Sequence, residues 1–70
     1  MDRAMRLRHL VAAERYLTRT ARQIQRQHKV VARLGVANCD MGPANAWLAI
    51  MIDQQRNCEE HRARLLRELK

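Results

Sequence analysis

Residues 15–33 read RYLTRTARQIQRQHKVVAR. Arg15, Arg19, Arg22, Arg26, Lys29 and Arg33 recur in this stretch at alternating steps of four and three. In an α-helix those steps keep all six on one side. Leu10, Leu17, Ile24 and Val31 stand seven residues apart. At about 100° per residue the two series lie almost back to back. The stretch therefore predicts a long amphipathic helix with a cationic outer face and an apolar face that something else must cover.

Working outward, the helical pattern extends from about residue 3 to 34. Its expected core positions are Leu7, Leu10, Ala13, Leu17, Ala21, Ile24, Val31 and Leu34. Gly35 is the expected stop, in the left-handed conformation, with Val36 touching Val31 in a Schellman ending. A turn over about residues 35–40 follows. Asp40 is the expected N-cap of a second helix, and Pro43 is tolerated in its first turn because the amides there have no helical partner. The second pattern covers about 41–69, with an inner stripe of Ala44, Leu48, Met51, Gln55, Cys58, Leu65 and Leu69. Glu60 and Arg64 make an i,i+4 pair on its outer side.

Two long helices joined by a short loop fold back antiparallel. The expected fold is all-α: one domain over residues 1–70, an antiparallel two-helix hairpin resembling a coiled coil. Register counted from the turn places Val31 against Leu48, His28 against Met51, Ile24 against Gln55, Ala21 against Cys58 and Leu10 against Leu69. The chain contains no strand pattern and no internal repeat.

Near the turn the second helix is apolar almost all round: Ala44, Ala46, Trp47, Leu48, Ala49, Ile50, Met51 and Ile52. One partner helix cannot cover all of this, and monomers avoid exposing such patches. Trp47, Ile50, Ile52 and Met51 are the expected protein interface. A second copy would complete a four-helix bundle as a homodimer, and a larger protein complex would cover the same surface.

The net charge is +7. Nine Lys/Arg against Asp2 and Glu14 precede Asn38, whereas from Pro43 onward five Lys/Arg nearly balance four acids. The basicity thus belongs to the first helix, and such asymmetry suits polyanions. The longest apolar run, Ala46 to Ile52, is seven residues, far short of a membrane span. The start is Arg-rich, but the basic pattern continues to Arg33 and no signal-type apolar region is present. Two cysteines are too few for a disulfide framework and fit a reducing compartment. The expectation is a cytoplasmic protein.

As a set, His9-Leu10, Ala13-Glu14-Arg15, Arg22-x-Ile24-x-Arg26-Gln27, Leu34, Asp40, Leu48 and His61-Arg62-x-Arg64-Leu65-Leu66-x-Glu68-Leu69 resemble a family of short uncharacterised proteobacterial proteins common in rhizobia-type genomes. The resemblance spans about His9 to Leu69. It implies a helical hairpin and supplies no catalytic or binding residues. Members of that family often carry acids where this chain has Arg19, Lys29 and Arg33, so the basic stripe is a departure from it.

The six cations from Arg15 to Arg33 are the candidate polyanion site, with nucleic acid the alternative partner to protein. No helix-turn-helix, zinc finger or stacking aromatic cluster accompanies them, so strong base reading is not expected. Cys58 and His61 have an i,i+3 spacing that suits two metal ligands. The residues expected opposite, Leu17, Thr20 and Ala21, cannot complete a tetrahedral site, and no metal is expected. Cys39 and Cys58 lie about 20 Å apart along the chain, too far for an intrachain disulfide. Gln55, opposite Ile24, has two readings: a buried polar residue that sets register, or a residue exposed at the edge of the seam. The chain has no Ser, and a hairpin has no cleft in which a nucleophile and a base converge. No enzyme activity, cofactor or small-molecule substrate is expected.

Overall fold

The computed structural model describes residues 2–70. These form two helices, α1 (Arg3–Val36) and α2 (Gly42–Leu69), packed antiparallel along one seam. No strand occurs among the described residues. α1 starts where the Asp2 carboxylate accepts the Met5 N–H at 2.8 Å, satisfying one of the first-turn amides. At the open end of the hairpin the Arg3 guanidinium donates to the Leu69 carbonyl at 3.1 Å. That oxygen belongs to the last turn of α2, where carbonyls lack helical partners and the dipole favours a cation.

Every residue of α1 that is not exposed falls in one series: Arg6, Leu10, Ala13, Leu17, Thr20, Ile24, Gln27, Val31 and Leu34. The steps alternate strictly between four and three. The matching series on α2 is Ala44, Leu48, Met51, Gln55, Cys58, Arg62, Leu65 and Leu69, with Ala63 and Leu66 half-buried beside it. A repeat of 3.5 residues is what keeps two long helices in contact along their whole length. Of the expected core, Leu7 and Ala21 are exposed, and His28 does not face the seam. Thr20 and Gln27 take those levels. Apolar character pointed to Ala21, but the 3.5 repeat passes through Thr20.

The polar intruders find partners. The Thr20 hydroxyl, on a residue only 8% exposed, lies 2.5 Å from Gln55 Oε1, the length of an O–H···O bond to an amide oxygen. Gln27 Nε2 donates to the Ala44 carbonyl at 3.0 Å. Arg6 Nε stands 3.6 Å from Glu68, an ion pair too long to be a hydrogen bond, so that nitrogen is buried without a hydrogen-bond partner. Glu14 and Arg62 pair across the helices at 3.3 Å.

The register differs from the one counted from the turn. Gln55 meets Thr20 rather than Ile24, and the Cys58 thiol meets the Ala13 carbonyl at 3.8 Å rather than Ala21. α2 is thus displaced by at least one helical turn toward the open end. The cause is the length of α1, which passes through Gly35 and ends at Val36. α1 has 34 residues against 28 in α2, and with their open ends joined through Arg3 and Leu69 the excess overhangs at the turn. Val36, 91% exposed, sits on that overhang.

A Schellman ending exists, but three residues later than expected. Asn38, with φ 59°, is the left-handed residue, and neither glycine has positive φ. The Cys39 N–H donates to Leu34 O at 2.9 Å and the Asn38 N–H to Gly35 O at 3.1 Å, the two bonds that define the motif. Asn tolerates this conformation better than other side-chain-bearing residues. Gly35 instead gives room to Met41, whose Sδ lies 3.0 Å from where a Cβ would stand. Asp40 is displaced from the N-cap by Met41, yet its carboxylate still accepts the Gly42 N–H at 2.9 Å.

The result is a rod of 52 × 15 × 14 Å with a radius of gyration of 16.0 Å, against about 11 Å for a globular chain of this length. Ala13, Leu48, Met51 and Leu65 are the only buried apolar residues among those described. Leu65, at 2% exposure, is the most enclosed of them. The exposed surface is 5425 Å², whereas a compact monomer of 8.3 kDa exposes about 4,600 Å².

Thr20→Val will leave the Gln55 amide unpartnered and lower stability by about 1–3 kcal/mol in urea unfolding, while Thr20→Val with Gln55→Leu will cost clearly less than the sum of the single changes. Additive losses would mean that the pair does not act as a unit. Gly35→Ala will raise the melting temperature, because a helix-interior glycine costs up to about 1 kcal/mol and the flexible Met41 thioether can move aside. A glycine in the left-handed conformation would give the opposite sign.

Candidate functional site

Apart from the seam, each helix has two flanks and an outer face. One flank of α1 carries His9, Tyr16, Gln23 and Val30, seven residues apart. The α2 flank beside it carries Trp47, Gln54, His61 and Glu68 at the same spacing. Trp47 and Val30 line one shallow groove with Gln23, Arg26, Gln27 and Met51. Ile50 lies one turn after Trp47 on α2, so this edge holds both aromatic residues of the chain together with Val30 and Ile50. Trp47 is 53% exposed and Ile50 47%.

Ile52 stands elsewhere. It lines a groove on the opposite edge with Ile24, Gln55, Arg56 and Glu59. The residues grouped as one interface are therefore distributed: Trp47 and Ile50 share an edge, Ile52 flanks the other, and Met51 is buried in the seam between them. Five positions separate Trp47 from Ile52, which rotates them about 140° apart around the helix axis.

Neither edge series contains Lys or Arg. The opposite edge reads Leu7, Glu14, Ala21 and His28 on α1 and Asn45, Ile52, Glu59 and Leu66 on α2. The interval from Leu34 to Gln55, which includes the whole turn region, has no cation either. Basic charge is concentrated on the outer faces.

Arg15, Arg19, Arg22, Arg26, Lys29 and Arg33 are all exposed on the side of α1 away from α2. Arg8, seven residues before Arg15 and sharing a shallow groove with it, belongs to the same row. Heptad spacing identifies it, although the Ala12 gap hides it from a count of unbroken four-three steps. The ion pairs among the described residues are Arg6 with Glu68, Arg56 with Asp53 and Arg62 with Glu14. None of them uses a cation of the row. Arg15 with Arg19, Arg22 with Arg26 and Lys29 with Arg33 are like-charge i,i+4 pairs, each destabilising by about 0.2–0.5 kcal/mol. Nothing inside the hairpin offsets that cost.

His9, Cys58 and His61 line one groove with Tyr16 and Arg19. They do not converge: among the described residues no three His, Cys, Asp or Glu side chains are placed to hold a metal ion. Both cysteines are free thiols, Cys39 exposed in the turn and Cys58 half-buried in the seam. Among the described residues no helix is long and apolar enough to cross a membrane. Comparison with known proteins finds no matching family model, no matching curated protein and no matching solved structure.

Because the unpaired row repels itself, salt will stabilise the fold. Raising NaCl from about 20 mM to about 0.5 M should lift the melting temperature by several degrees. A melting temperature that falls with salt would mean that the interhelical ion pairs outweigh the row.

Proposed function

We propose that this chain is a non-enzymatic protein-interaction hairpin that works as a homodimer, two copies meeting along the Trp47–Ile50–Val30 edge to make a four-helix bundle. The observation that carries the reading is the surface excess. The hairpin exposes roughly 800 Å² more than a compact monomer of its mass, about what one partner contributes to a standard interface. The exposed aromatic and aliphatic side chains are concentrated where that area would be covered, with Trp47 as the anchor.

Charge restricts how a second copy can approach. Two chains of net charge +7 repel, and they can approach closely only through surfaces free of cations. The Tyr16–Val30–Trp47 edge has no cation at its own heptad positions, and Arg19 and Arg26 border its grooves, so a pairing there must keep those two guanidinium groups at its rim while Arg15, Arg22 and Lys29 face outward. A cytoplasmic setting suits the two free thiols. Kinship with the short proteobacterial family is part of the same proposal, since that family's expected hairpin is the unit that pairs. A larger protein complex covering the same edge is the outcome that replaces self-association if the chain is monomeric.

Light scattering at about 0.1 mM, where a micromolar dimer is nearly complete, should report twice the chain mass of 8.3 kDa. Ile50→Glu should return the mass to that of one chain while helical circular dichroism persists, and Trp47 emission should shift to the red. A single-chain mass for the unaltered protein would sink the dimer.

A further inference from the structure

The basic row of α1 plays no part in the hairpin seam, and Arg19 and Arg26 border the proposed dimer edge. From Arg8 to Arg33 it spans 25 residue steps, about 38 Å of straight helix, close to one turn of B-form duplex. It holds seven cations, all exposed and none in an ion pair among the described residues. We infer that this row is a binding site for the phosphate backbone of double-helical nucleic acid, read without base specificity.

Three features favour a duplex over other polyanions. The row is rigid, held on a helix whose opposite side is locked by the Thr20–Gln55 and Gln27–Ala44 bonds. It is therefore preorganised for a long, straight array of charge, whereas a flexible or globular acidic partner gains nothing from its length. A single strand would want exposed aromatic rings to stack on, and the outer face of α1 has none, since Tyr16 lies on the edge. A membrane surface would want a broad apolar face beside the cations. Here the row's neighbours are mixed, Thr18, Gln23 and Gln25 standing among Val11, Tyr16 and Val30, so no continuous apolar face flanks the cations, and the main apolar stripe of α1 lies in the seam against α2.

The site works through charge. Duplex DNA carries one negative charge per about 1.7 Å of axis, so the row lies in a dense phosphate field, touching the backbones where they cross its face and acting on the other phosphates through space. Neutralising six or seven phosphates gives a log–log salt slope of about −5 to −6. The site is complete in one chain, so it does not depend on the dimer, and a dimer presents it twice.

The test is anisotropy of a labelled mixed-sequence DNA duplex of about 20 base pairs, two turns long, titrated with the full chain at several salt concentrations. Arg22→Gln with Arg26→Gln should weaken binding about 100-fold at ~50 mM salt and make the slope shallower by about 2. Arg64→Gln with Arg67→Gln removes the same net charge from exposed positions on α2 and should change affinity less than about threefold, since neither lies on the row. Circular dichroism shows whether each variant remains helical. Ile50→Glu should keep the steep slope per chain even if it dissolves the dimer, which separates this inference from the proposed assembly. Three results would overturn it: no duplex binding at ~50 mM salt, equal losses from the two double variants, or tighter binding to a single strand or to anionic phosphatidylserine vesicles than to the duplex.

Discussion

Two helices that have only each other must stay in register over about 40 Å, and that requires one strict row of contact positions on each. An ideal helix turns every 3.6 residues, so a straight stripe drifts unless the contact repeat is held at 3.5. The series from Arg6 to Leu34 and from Ala44 to Leu69 meets that condition at every step. Five Arg, Gln or Thr residues lie on those rows, and each has a partner across the seam: Thr20 and Gln55 meet each other, Gln27 meets the Ala44 carbonyl, Arg62 meets Glu14, and Arg6 makes a longer ion pair with Glu68. A polar side chain inside a narrow seam disfavours any register that leaves it unpartnered. These pairs therefore position α2 along α1 more sharply than the aliphatic contacts do.

The same thinness leaves apolar side chains exposed along one edge. A rod 14–15 Å across has no interior away from its single seam, so Trp47, Ile50, Val30 and Tyr16 cannot be drawn inside by any rearrangement of one chain. The heptad positions of that edge carry no Lys or Arg, while seven cations line the outer face of α1, of which Arg19 and Arg26 border the edge. Apolar surface and positive charge are thereby segregated onto different sides of one rod. The separation is incomplete at Arg19 and Arg26, which border the apolar edge, while Arg8, Arg15, Arg22 and Lys29 point away from it.

Much of this was legible from residue spacing. Helix count, the antiparallel hairpin, the α2 inner stripe and the outward row from Arg15 to Arg33 follow from periodicity, because side-chain direction in a helix depends only on position along it. The turn was legible in kind but not in place. Gly35 and Asn38 are both able to adopt the left-handed conformation, and the choice went to Asn38 because continuing α1 through Gly35 makes two more helical residues and seats Met41 against the glycine. The core of α1 was misread at Leu7 and Ala21 because hydrophobicity ranks Ala above Thr, whereas geometry ranks position above chemistry.

Local spacing thus determines that two amphipathic helices form and which side of each is cationic, since those properties need no second element. Register, the location of the left-handed residue, and the partners of Thr20 and Gln27 arise only when α2 lies against α1. Each depends on which atom of one helix sits beside which atom of the other, and a sliding register leaves every residue's periodicity unchanged while altering all of those neighbours.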